Sequence, residues 1–406
     1  MAAPLHGIRV LDLSRILAGP WATQLLADLG AEVIKVERPG KGDDTRGWGP
    51  PFVTDEAGRE GDAAYFLSAN RGKKSITLDI ASAEGQAIAR AIALRSDVLV
   101  ENYKVGDLER YGLGYEALSR ENPRLVYCSI TGFGQTGPYR ERAGYDFMIQ
   151  GMGGLMSITG ERDDLPGGGP QKAGVAIADL MTGMYTTVGI LSALRERDAS
   201  GLGQFIDMAL LDTQVGWLAN QNLNYLVSGT APVRMGNAHP NITPYDVFPT
   251  SDGAMILAVG NDGQFGKFCR AAGLPDVPAD ARYADNRARV ANRVALREIL
   301  AAAIRKRTTA DWIATLEPLG VPCGPINRLD QVFADPQVVS RGLRIDLPHA
   351  HAREVPLVAN PIRFSRTPIA YDRAPPVLGQ HTDEVLGSLL GHGEADIAAL
   401  RARKIV

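Results

Sequence analysis

Residues 8–36 read IRVLDLSRILAGPWATQLLADLGAEVIKV, and this stretch decides the fold. Residues 8–13 are predominantly apolar and favour a strand, residues 21–29 carry apolar side chains at helical spacing, and residues 33–36 favour a second strand. A strand, a helix and a strand in close succession form the unit from which parallel sheets are built. This segment therefore predicts the first unit of an α/β domain.

The same alternation continues along the chain. A helix is predicted at 88–94, and strands are predicted at 98–100 and 125–130. Repeated alternation indicates a doubly wound, Rossmann-like α/β domain with a mainly parallel sheet. Ligands bind such sheets beyond the carboxyl ends of the strands. The predicted binding loops are therefore residues 15–20, 38–51 and 101–104.

The middle of the chain has a different pattern. Short extended pieces surround the turn at 251–253, and helical sequence such as 294–306 follows. The proline-rich tail ends in a helix that is predicted to begin at Thr382. We predict a small α+β domain at 225–330 and a large α/β domain at 1–220 that is completed by 335–406.

Composition narrows the class of protein. The chain has 406 residues, of which 45% are hydrophobic and 22% are charged, as in an ordinary globular protein. Its 43 basic and 46 acidic residues give a net charge of −3, so no global field favours nucleic acid or an anionic membrane. No apolar run approaches the roughly 20 residues that cross a bilayer, so we expect no membrane span.

Cysteine and histidine usage gives further expectations. Cys128, Cys269 and Cys323 lie far apart and form no Cys-x-x-Cys pair, which favours a reducing compartment. The N-terminal segment lacks the pattern of a secretory signal, so a cytoplasmic protein is expected, with an organelle matrix left open. His349 and His351 have no accompanying cluster of cysteines or carboxylates, so no metal site is predicted.

Asp179 is the candidate catalytic residue. It lies between the apolar run 174–178 and a helical pattern that extends from Leu180 to Leu194 and stops at 201–203. The free N–H groups at a helix N-terminus favour an ionised carboxylate, which could act as a nucleophile. The alternative is a plain helix-capping aspartate.

Glycine-rich and basic segments suggest a phosphorylated ligand other than a dinucleotide. The glycine-rich stretch 151–160 lacks the final glycine of the dinucleotide fingerprint. Gly153 and Gly154 could let backbone N–H groups approach a carbonyl oxygen, or could serve helix packing. Basic residues lie at predicted strand ends, where they could bind phosphates, although solvated charge is the ordinary interpretation of such residues.

Several segments together resemble the family III CoA-transferases, which include α-methylacyl-CoA racemase as a relative. The resemblance covers nearly the whole chain, and the order and spacing of its motifs make it specific. The matching segments are residues 10–14, 17–20, 36–40, 42–46, 70–75, 101–103, 131–139 and 144–146, the Asp179 segment, and residues 203–207.

The resemblance implies a mechanism and a set of ligand contacts. In the family, the aspartate that matches Asp179 attacks an acyl-CoA thioester, and the resulting anhydride becomes an aspartyl-CoA thioester. CoA is then a substrate, no prosthetic group is needed, and the family forms a homodimer of interlocked rings. Gly260 and Gly263 loosely match the family's glycine loop, which closes over the site. The CoA contacts carried over are Arg38, Arg71, Lys73, Leu78, Asn102, Tyr103 and Arg110.

Differences between this chain and other branches of the family indicate which reaction it catalyses. The racemase branch has a histidine where this chain has Tyr145, and a tyrosine with a pKa near ~10 is a poor base at neutral pH. Arg15 and Leu17 differ from the residues at the matching positions of oxalate-specific transferases. The segment with Arg46 and Trp48 is similar to that of transferases that use succinyl-CoA and a dicarboxylic acid such as glutarate.

Alternatives to this interpretation remain. Arg46 could hold a distal carboxylate, or could anchor its own loop by a salt bridge. A racemase could pair Asp179 with another base such as His239, although His239 could equally be a capped turn residue. A third possibility is a CoA-binding protein without turnover.

Overall fold

The strands and helices were located in a computed structural model that describes residues 2–406. The strands are β1 (Arg9–Asp12), β2 (Glu32–Glu37), β3 (Phe52–Thr54), β4 (Glu60–Ala63), β5 (Lys73–Thr77), β6 (Val98–Glu101), β7 (Val126–Thr131), β8 (Phe205–Ala209), β9 (Tyr245–Pro249), β10 (Ala254–Ala258), β11 (Cys323–Pro325), β12 (Arg344–Pro348) and β13 (Glu354–Val358).

The helices are α1 (Ala18–Asp28), α2 (Ala64–Leu67), α3 (Ala83–Ala93), α4 (Asp107–Arg110), α5 (Tyr115–Ser119), α6 (Asp146–Met152), α7 (Leu155–Ile158), α8 (Ile177–Ser200), α9 (Leu210–Trp217), α10 (Asn220–Ser228), α11 (Asp262–Ala271), α12 (Asn286–Ala291), α13 (Arg293–Ile304), α14 (Thr309–Leu316), α15 (Leu329–Ala334), α16 (Pro336–Ser340), α17 (Thr382–Leu390) and α18 (Glu394–Ala402). Short 3-10 turns span Asp44–Gly47, Val277–Ala279 and Glu317–Leu319.

A six-stranded parallel sheet has the order β5-β2-β1-β6-β7-β8. Counted in chain order among themselves, these six strands read 3-2-1-4-5-6, the doubly wound order. The strand order reverses between β1 and β6, where Val10 pairs with Val98. Ligands of such sheets bind at this reversal, beyond the strand carboxyl ends. The structure thus confirms the predicted α/β class and its parallel sheet.

Both faces of the sheet are covered. Leu11 belongs to a core cluster that includes buried side chains of α3, α17 and α18. Its neighbour Val10 belongs to a second cluster, with side chains of α1 and α8. Because successive side chains of a strand point to opposite faces, a strand covered on both faces needs a nearly continuous apolar run. This requirement explains the composition of residues 8–13.

Helix α8 carries the candidate nucleophile and packs against α1. A Cβ at Gly183 would lie 2.7 Å from the carbonyl oxygen of Ala18, so this glycine permits the close approach of the two helices. The helix stops at Gly201, whose φ of 80° suits glycine. By length and composition alone α8 could cross a membrane, contrary to our expectation that no segment would. Its buried residues Ala178, Ile190 and Leu194 belong to the core of the α/β unit, which accounts for its apolar character.

The chain divides into two compact units. The first contains the chain up to Leu155, Ala173–Leu226 and Val339–Val406, and the second contains Met156–Lys172 and Val227–Val338. Residues 156–172, which we assigned to the large domain, thus belong with the second unit. The reason is local: the N–H of Gly236 donates to the carbonyl of Gly160 (3.1 Å), and Arg234 forms an ion pair with Asp163.

The second unit has its own core. Strands β11, β10 and β9 form an antiparallel sheet, and β9 and β10 are the two extended pieces predicted around 251–253. Phe265, Phe268 and Trp312 are buried against it, from α11 and α14. Within the first unit, the tail returns to β5: the His381 N–H donates to the Ser75 carbonyl (2.9 Å). The tail ends in two helices, α17 and α18, rather than the single one predicted from Thr382.

Candidate active site

Asp179 lies in the first turn of α8 and lines a cavity of about 610 Å³. It is not the residue at the N-cap position, which is Ala176 and provides no side-chain cap. The Asp179 side chain is half-buried, and among the described residues it accepts no hydrogen bond. Burial, followed by the negative charge of Asp146, raises the pKa of Asp179 to about 7. A carboxylate that is half-buried, unpaired and open to a cavity fits a nucleophile better than a helix cap.

Asp146 provides the cap that Asp179 does not. Its Oδ1 accepts the backbone N–H of Ala178 (2.8 Å) and, at the longer distance of 3.4 Å, that of Asp179. Its Oδ2 accepts from the amide of Gln150 (2.7 Å), whose own oxygen accepts the N–H of Ala173 (2.8 Å). Asp146 was not among the predicted site residues, although it stands in a matching motif. Its partner lies 32 residues further along the chain, and the sequence carries no sign of that pairing.

The reversal point of the sheet forms one wall of the cavity. The Arg15 N–H donates to Asn102 Oδ1 (2.9 Å), and Asn102 Nδ2 donates to the Arg15 carbonyl (2.7 Å). These bonds join the loops that follow β1 and β6. Between them, Ile16 has a φ of 72°, a strained value for a β-branched residue. The Ile16 N–H is held by the Asp43 carboxylate (3.3 Å), so the loop is fixed from both sides.

A second cavity, of about 280 Å³, adjoins the first. Arg38 and Leu78 line it, and it shares Arg15, Tyr103 and Asp107 with the larger cavity. The predicted CoA contacts that the structure brings together at these two cavities are Arg38, Leu78, Asn102, Tyr103 and Arg110. The cavities thus form a connected path from an exposed arginine to the Asp179 carboxylate.

Arg71 does not belong to this group, and its predicted ligand contact is corrected. Its guanidinium is buried and forms two bonds to the Asp28 carboxylate (2.8 and 2.6 Å) and one to the carbonyl of Val358 (2.6 Å). These bonds occupy the donors that a phosphate would need. Arg71 ties the returning tail to α1 instead of binding a ligand.

Lys73 is likewise a core residue rather than a ligand contact. Its ammonium group is fully buried and donates to Asp12 (3.1 Å), the Pro20 carbonyl (2.9 Å) and Asn70 (2.9 Å). Burial lowers the pKa of Lys73 to about 8, against the opposing effect of the Asp12 charge. All three donors of the ammonium are used inside the protein.

Arg46 is also used internally. Two of its nitrogens donate to the Glu37 carboxylate (2.7 and 2.6 Å), a third bond reaches Asp62 (2.6 Å), and its guanidinium lies 3.7 Å from the Phe66 ring centroid. The alternative of a loop-anchoring salt bridge is therefore the correct one, and Arg46 is not available to a distal carboxylate. Trp48 remains exposed on the loop that Arg46 anchors.

Trp48 packs edge to face against Tyr65, with ring centroids 5.3 Å apart. Tyr65 is half-buried, and its pKa is raised by burial and then by the charges of Asp179 and Asp146. Tyr65 was not predicted as a site residue, because nothing in the sequence distinguishes it from other tyrosines. Neither Trp48 nor Tyr65 lines the two cavities of the site.

The residues around α6 have distinct roles. Tyr145 lines the cavity with 66% of its surface exposed, so it is free to contact a ligand. A Cβ at Gly153 would meet the Gln214 side chain at 2.4 Å and the Ile149 carbonyl at 2.9 Å. Gly154 has a φ of 89°. Packing and backbone conformation thus account for both glycines, and neither lines the cavity.

The remaining predicted residues lie in the second unit. The His239 ring Nδ1 accepts the N–H of Asn241 (3.0 Å), and burial lowers the His239 pKa, as fits a histidine in a turn. The Gly260 N–H donates to the side chain of Gln264 (2.8 Å). Gly263 lies in the first turn of α11 rather than in a glycine loop, and α11 is capped by Asn261. A closing role for these glycines stays a prediction.

The charged side chains that line the larger cavity are carboxylates, arginines and a lysine. Within residues 2–406, no group of three or more histidine, cysteine, aspartate or glutamate side chains is arranged to hold a metal ion. Asp107 and Glu141 also line the larger cavity, but each forms an ion pair with a neighbouring arginine, whereas Asp179 does not. An unpaired carboxylate beside basic side chains suits the transfer of an acyl group from a phosphorylated carrier.

The fold and site together define an acyl-transfer enzyme of known type. The sequence profile of CoA-transferase family III matches residues 5–382, and the chain belongs to this family. The protein is therefore a family III CoA-transferase, an enzyme whose substrates are CoA thioesters.

Individual relatives agree with this assignment. The chain is 54% identical to the succinate–glutarate CoA-transferase of Agrobacterium fabrum over 386 residues, covering 95% of this chain and 96% of that one. It is 43% identical to the succinyl-CoA:glutarate CoA-transferase of Homo sapiens, covering 99% and 90%. The crystal structure of a CAIB/BAIF family protein from Brucella suis is similar with a TM-score of 0.84 and 52% identity, covering 96% of this chain and 100% of that one.

Proposed function

We propose that this enzyme transfers CoA from succinyl-CoA to a dicarboxylic acid such as glutarate, through a covalent intermediate on Asp179. The observation that carries the proposal is the Asp179 carboxylate, which is half-buried, unpaired and open to the cavity at the reversal point of the sheet. The substrates named for the relatives from Agrobacterium fabrum and Homo sapiens support the choice of acids.

The proposed reaction is a double displacement. The Asp179 carboxylate attacks the thioester carbonyl of succinyl-CoA, the C–S bond breaks, and CoA leaves as a thiolate, so that a mixed anhydride of succinate and Asp179 remains. The thiolate then attacks the Asp179 side of the anhydride and releases succinate, which leaves an aspartyl-CoA thioester. The acceptor carboxylate repeats the two steps in reverse, and Asp179 is regenerated. Each step exchanges one acyl bond for another, so no oxidant or reductant is required.

The path formed by the two cavities supports the orientation of CoA. Arg38 and Leu78 would contact the nucleotide, and Asn102 and Tyr103 would lie along the pantetheine arm, which ends near Asp179. Arg38 is exposed, and within residues 2–406 it forms no ion pair that a phosphorylated ligand would have to break. Tyr145 would border the thioester.

Steady-state transfer tests the proposal. We expect succinyl-CoA and glutarate to yield glutaryl-CoA with the wild-type protein, and we expect Asp179→Ala to lower kcat by at least about 10³-fold. CoA affinity, measured by calorimetry, should change by less than about threefold, because Asp179 lies beyond the nucleotide contacts. Near-normal transfer by Asp179→Ala would exclude the covalent mechanism. Deuterium uptake at the α-carbon of a branched acyl-CoA, without transfer, would favour a racemase.

We also propose a homodimer of interlocked rings, as the family resemblance implies. On α8 the side chains of Met184, Tyr185 and Val188 are exposed, and on α10 Leu226 is 71% exposed. Exposed apolar faces of this kind are typical of protein interfaces. Light scattering should give twice the chain mass of 43.5 kDa, and a monomer at micromolar concentration would contradict the proposal. A cytoplasmic or matrix location, which the free cysteines support, is part of the same proposal.

A further inference from the structure

The larger cavity is lined by five basic side chains, and most of them have acidic partners. Arg15 forms an ion pair with Asp44 (3.0 Å), Arg110 pairs with Asp107, and Arg140 pairs with Glu141 (3.4 Å). The other two basic residues of the lining are Lys104 and Arg142, and neither has a carboxylate partner within residues 2–406. An unpaired cation beside the nucleophile is a candidate for binding a substrate anion.

Arg142 is held by aromatic rings. Its guanidinium carbon lies 4.6 Å from the ring centroid of Tyr139 and 5.3 Å from that of Phe133. The two rings are themselves packed edge to face at 5.5 Å. The polar contact of the guanidinium is a weak one, to the sulfur of Met152 (3.9 Å). Stacking fixes the plane of a guanidinium and leaves its N–H edge free for a planar anion.

The position of Arg142 in the chain places it on the side of the nucleophile. It precedes Asp146 by four residues, and the Asp146 carboxylate binds the backbone at the start of α8, next to Asp179. Lys104 follows β6 instead, beside Asn102 and Tyr103, on the wall assigned to CoA. Of the two unpaired cations, Arg142 is therefore the one that fits the acyl group.

We infer that Arg142 binds the distal carboxylate of the dicarboxylic substrates, the task that the sequence suggested for Arg46. This inference rests on the proposed function. In a double displacement, the donor acyl group and the acceptor acid occupy the same place in turn. One arginine then serves both, by bidentate hydrogen bonds to the carboxylate that does not react.

A comparison of two acceptors tests the inference. Glutarate and valerate have the same chain length, and valerate has a methyl group in place of the distal carboxylate. We expect Arg142→Gln to lower kcat/KM for glutarate by roughly 10- to 100-fold, while kcat/KM for valerate changes by less than about threefold. Arg142→Lys should retain an intermediate activity with glutarate, because it keeps the charge but loses the bidentate geometry.

Control measurements separate binding from folding. Arg344→Gln removes an exposed arginine of β12 that pairs with Asp346 (3.0 Å), outside the cavity lining, and should leave both acceptors unaffected. Thermal unfolding and CoA affinity of Arg142→Gln should match the wild type. If CoA transfer to valerate is too slow to measure, the KM for glutarate alone tests the assignment of Arg142.

Two results would overturn the assignment of Arg142. One is an unchanged KM and kcat for glutarate in Arg142→Gln. The other is an equal loss of the acceptor kcat/KM with glutarate and with valerate, since in a double displacement this quantity does not depend on the donor half-reaction. A wild-type enzyme that transfers CoA to no dicarboxylic acid would instead overturn the proposed function, and this inference with it. The two failures are thus distinguishable in the same experiment.

Discussion

At the scale of single residues, the site depends on two neighbouring carboxylates with different roles. Asp146 is tied into hydrogen bonds with the start of α8 and with Gln150. Asp179 has no such bonds, and its ionisation is opposed both by burial and by the charge of Asp146. A carboxylate that is poorly stabilised in its ionised form is a more basic and better nucleophile.

Because burial and the charge of Asp146 oppose the ionisation of Asp179, they should also reduce the stability of the folded protein. The pKa of Asp179 is raised to about 7 from the ordinary value of 3.8, so between these pH values the unfolded chain releases a proton that the folded chain retains. Stability therefore falls as the pH rises between these two values. Below the lower value, the destabilising contribution of Asp179 is absent. Asp179→Asn should be more stable than the wild type at pH ~8, on the order of 1–3 kcal/mol, and equal at pH ~4. Urea unfolding at both values measures this, and equal stability at pH ~8 would contradict the raised pKa.

Residue-level contacts also distinguish basic side chains that are buried in the core from basic side chains that line a cavity. Lys73→Met leaves the buried Asp12 without its ion-pair partner and should destabilise the protein by about 3–5 kcal/mol in urea unfolding. Arg38→Ala removes an exposed side chain from the smaller cavity and should leave stability unchanged. We expect it to weaken CoA binding by roughly tenfold. The reverse pattern, with Lys73→Met stable but deficient in CoA binding, would support the ligand contact that the sequence predicted for Lys73.

At the scale of elements, the junction between α6 and α9 is closely packed. A methyl group at Gly153 would collide with Gln214 of α9 and with the Ile149 carbonyl of α6. Gly153→Ala should therefore cost about 1–3 kcal/mol. Gly216 also lies in α9, and a Cβ added there would meet no atom within 4 Å, so Gly216→Ala is a matched control that should stabilise by about 0.5–1 kcal/mol. Urea unfolding measures both changes, and equal effects would show that the junction is not tightly packed.

The elements that the sequence predicted best were those with continuous or periodic apolar patterns. Strand β1, helix α1 and strand β2 lie where residues 8–36 place them, because burial on both faces requires an apolar run. The loops were harder to predict from the sequence. The start of α11 matches the family's glycine loop only loosely, and Asn261 caps a helix there, a cap that the local glycine content did not reveal.

At the scale of the whole molecule, long-range pairing limited what could be predicted. The basic residues Arg46, Arg71 and Lys73 stand near strand ends, where a ligand contact and an internal ion pair have the same sequence pattern. Their partners include Asp28 and Asp12, which lie 43 and 61 residues away in the chain. Only the sheet order, which brings β5 next to β2 and β2 next to β1, places these charges together. The class of enzyme, in contrast, was predicted from motifs and their order, and family membership confirms it.

The proposed mechanism requires that Asp179 form a covalent bond to CoA or to the acyl group during transfer. Intact-protein mass spectrometry after incubation with succinyl-CoA tests it most directly, with hydroxylamine trapping and peptide mapping. We predict a hydroxylamine-sensitive adduct on the peptide that contains Asp179, and no adduct in Asp179→Ala. Turnover by the wild-type protein without any adduct, or with an adduct on another residue, would contradict the account.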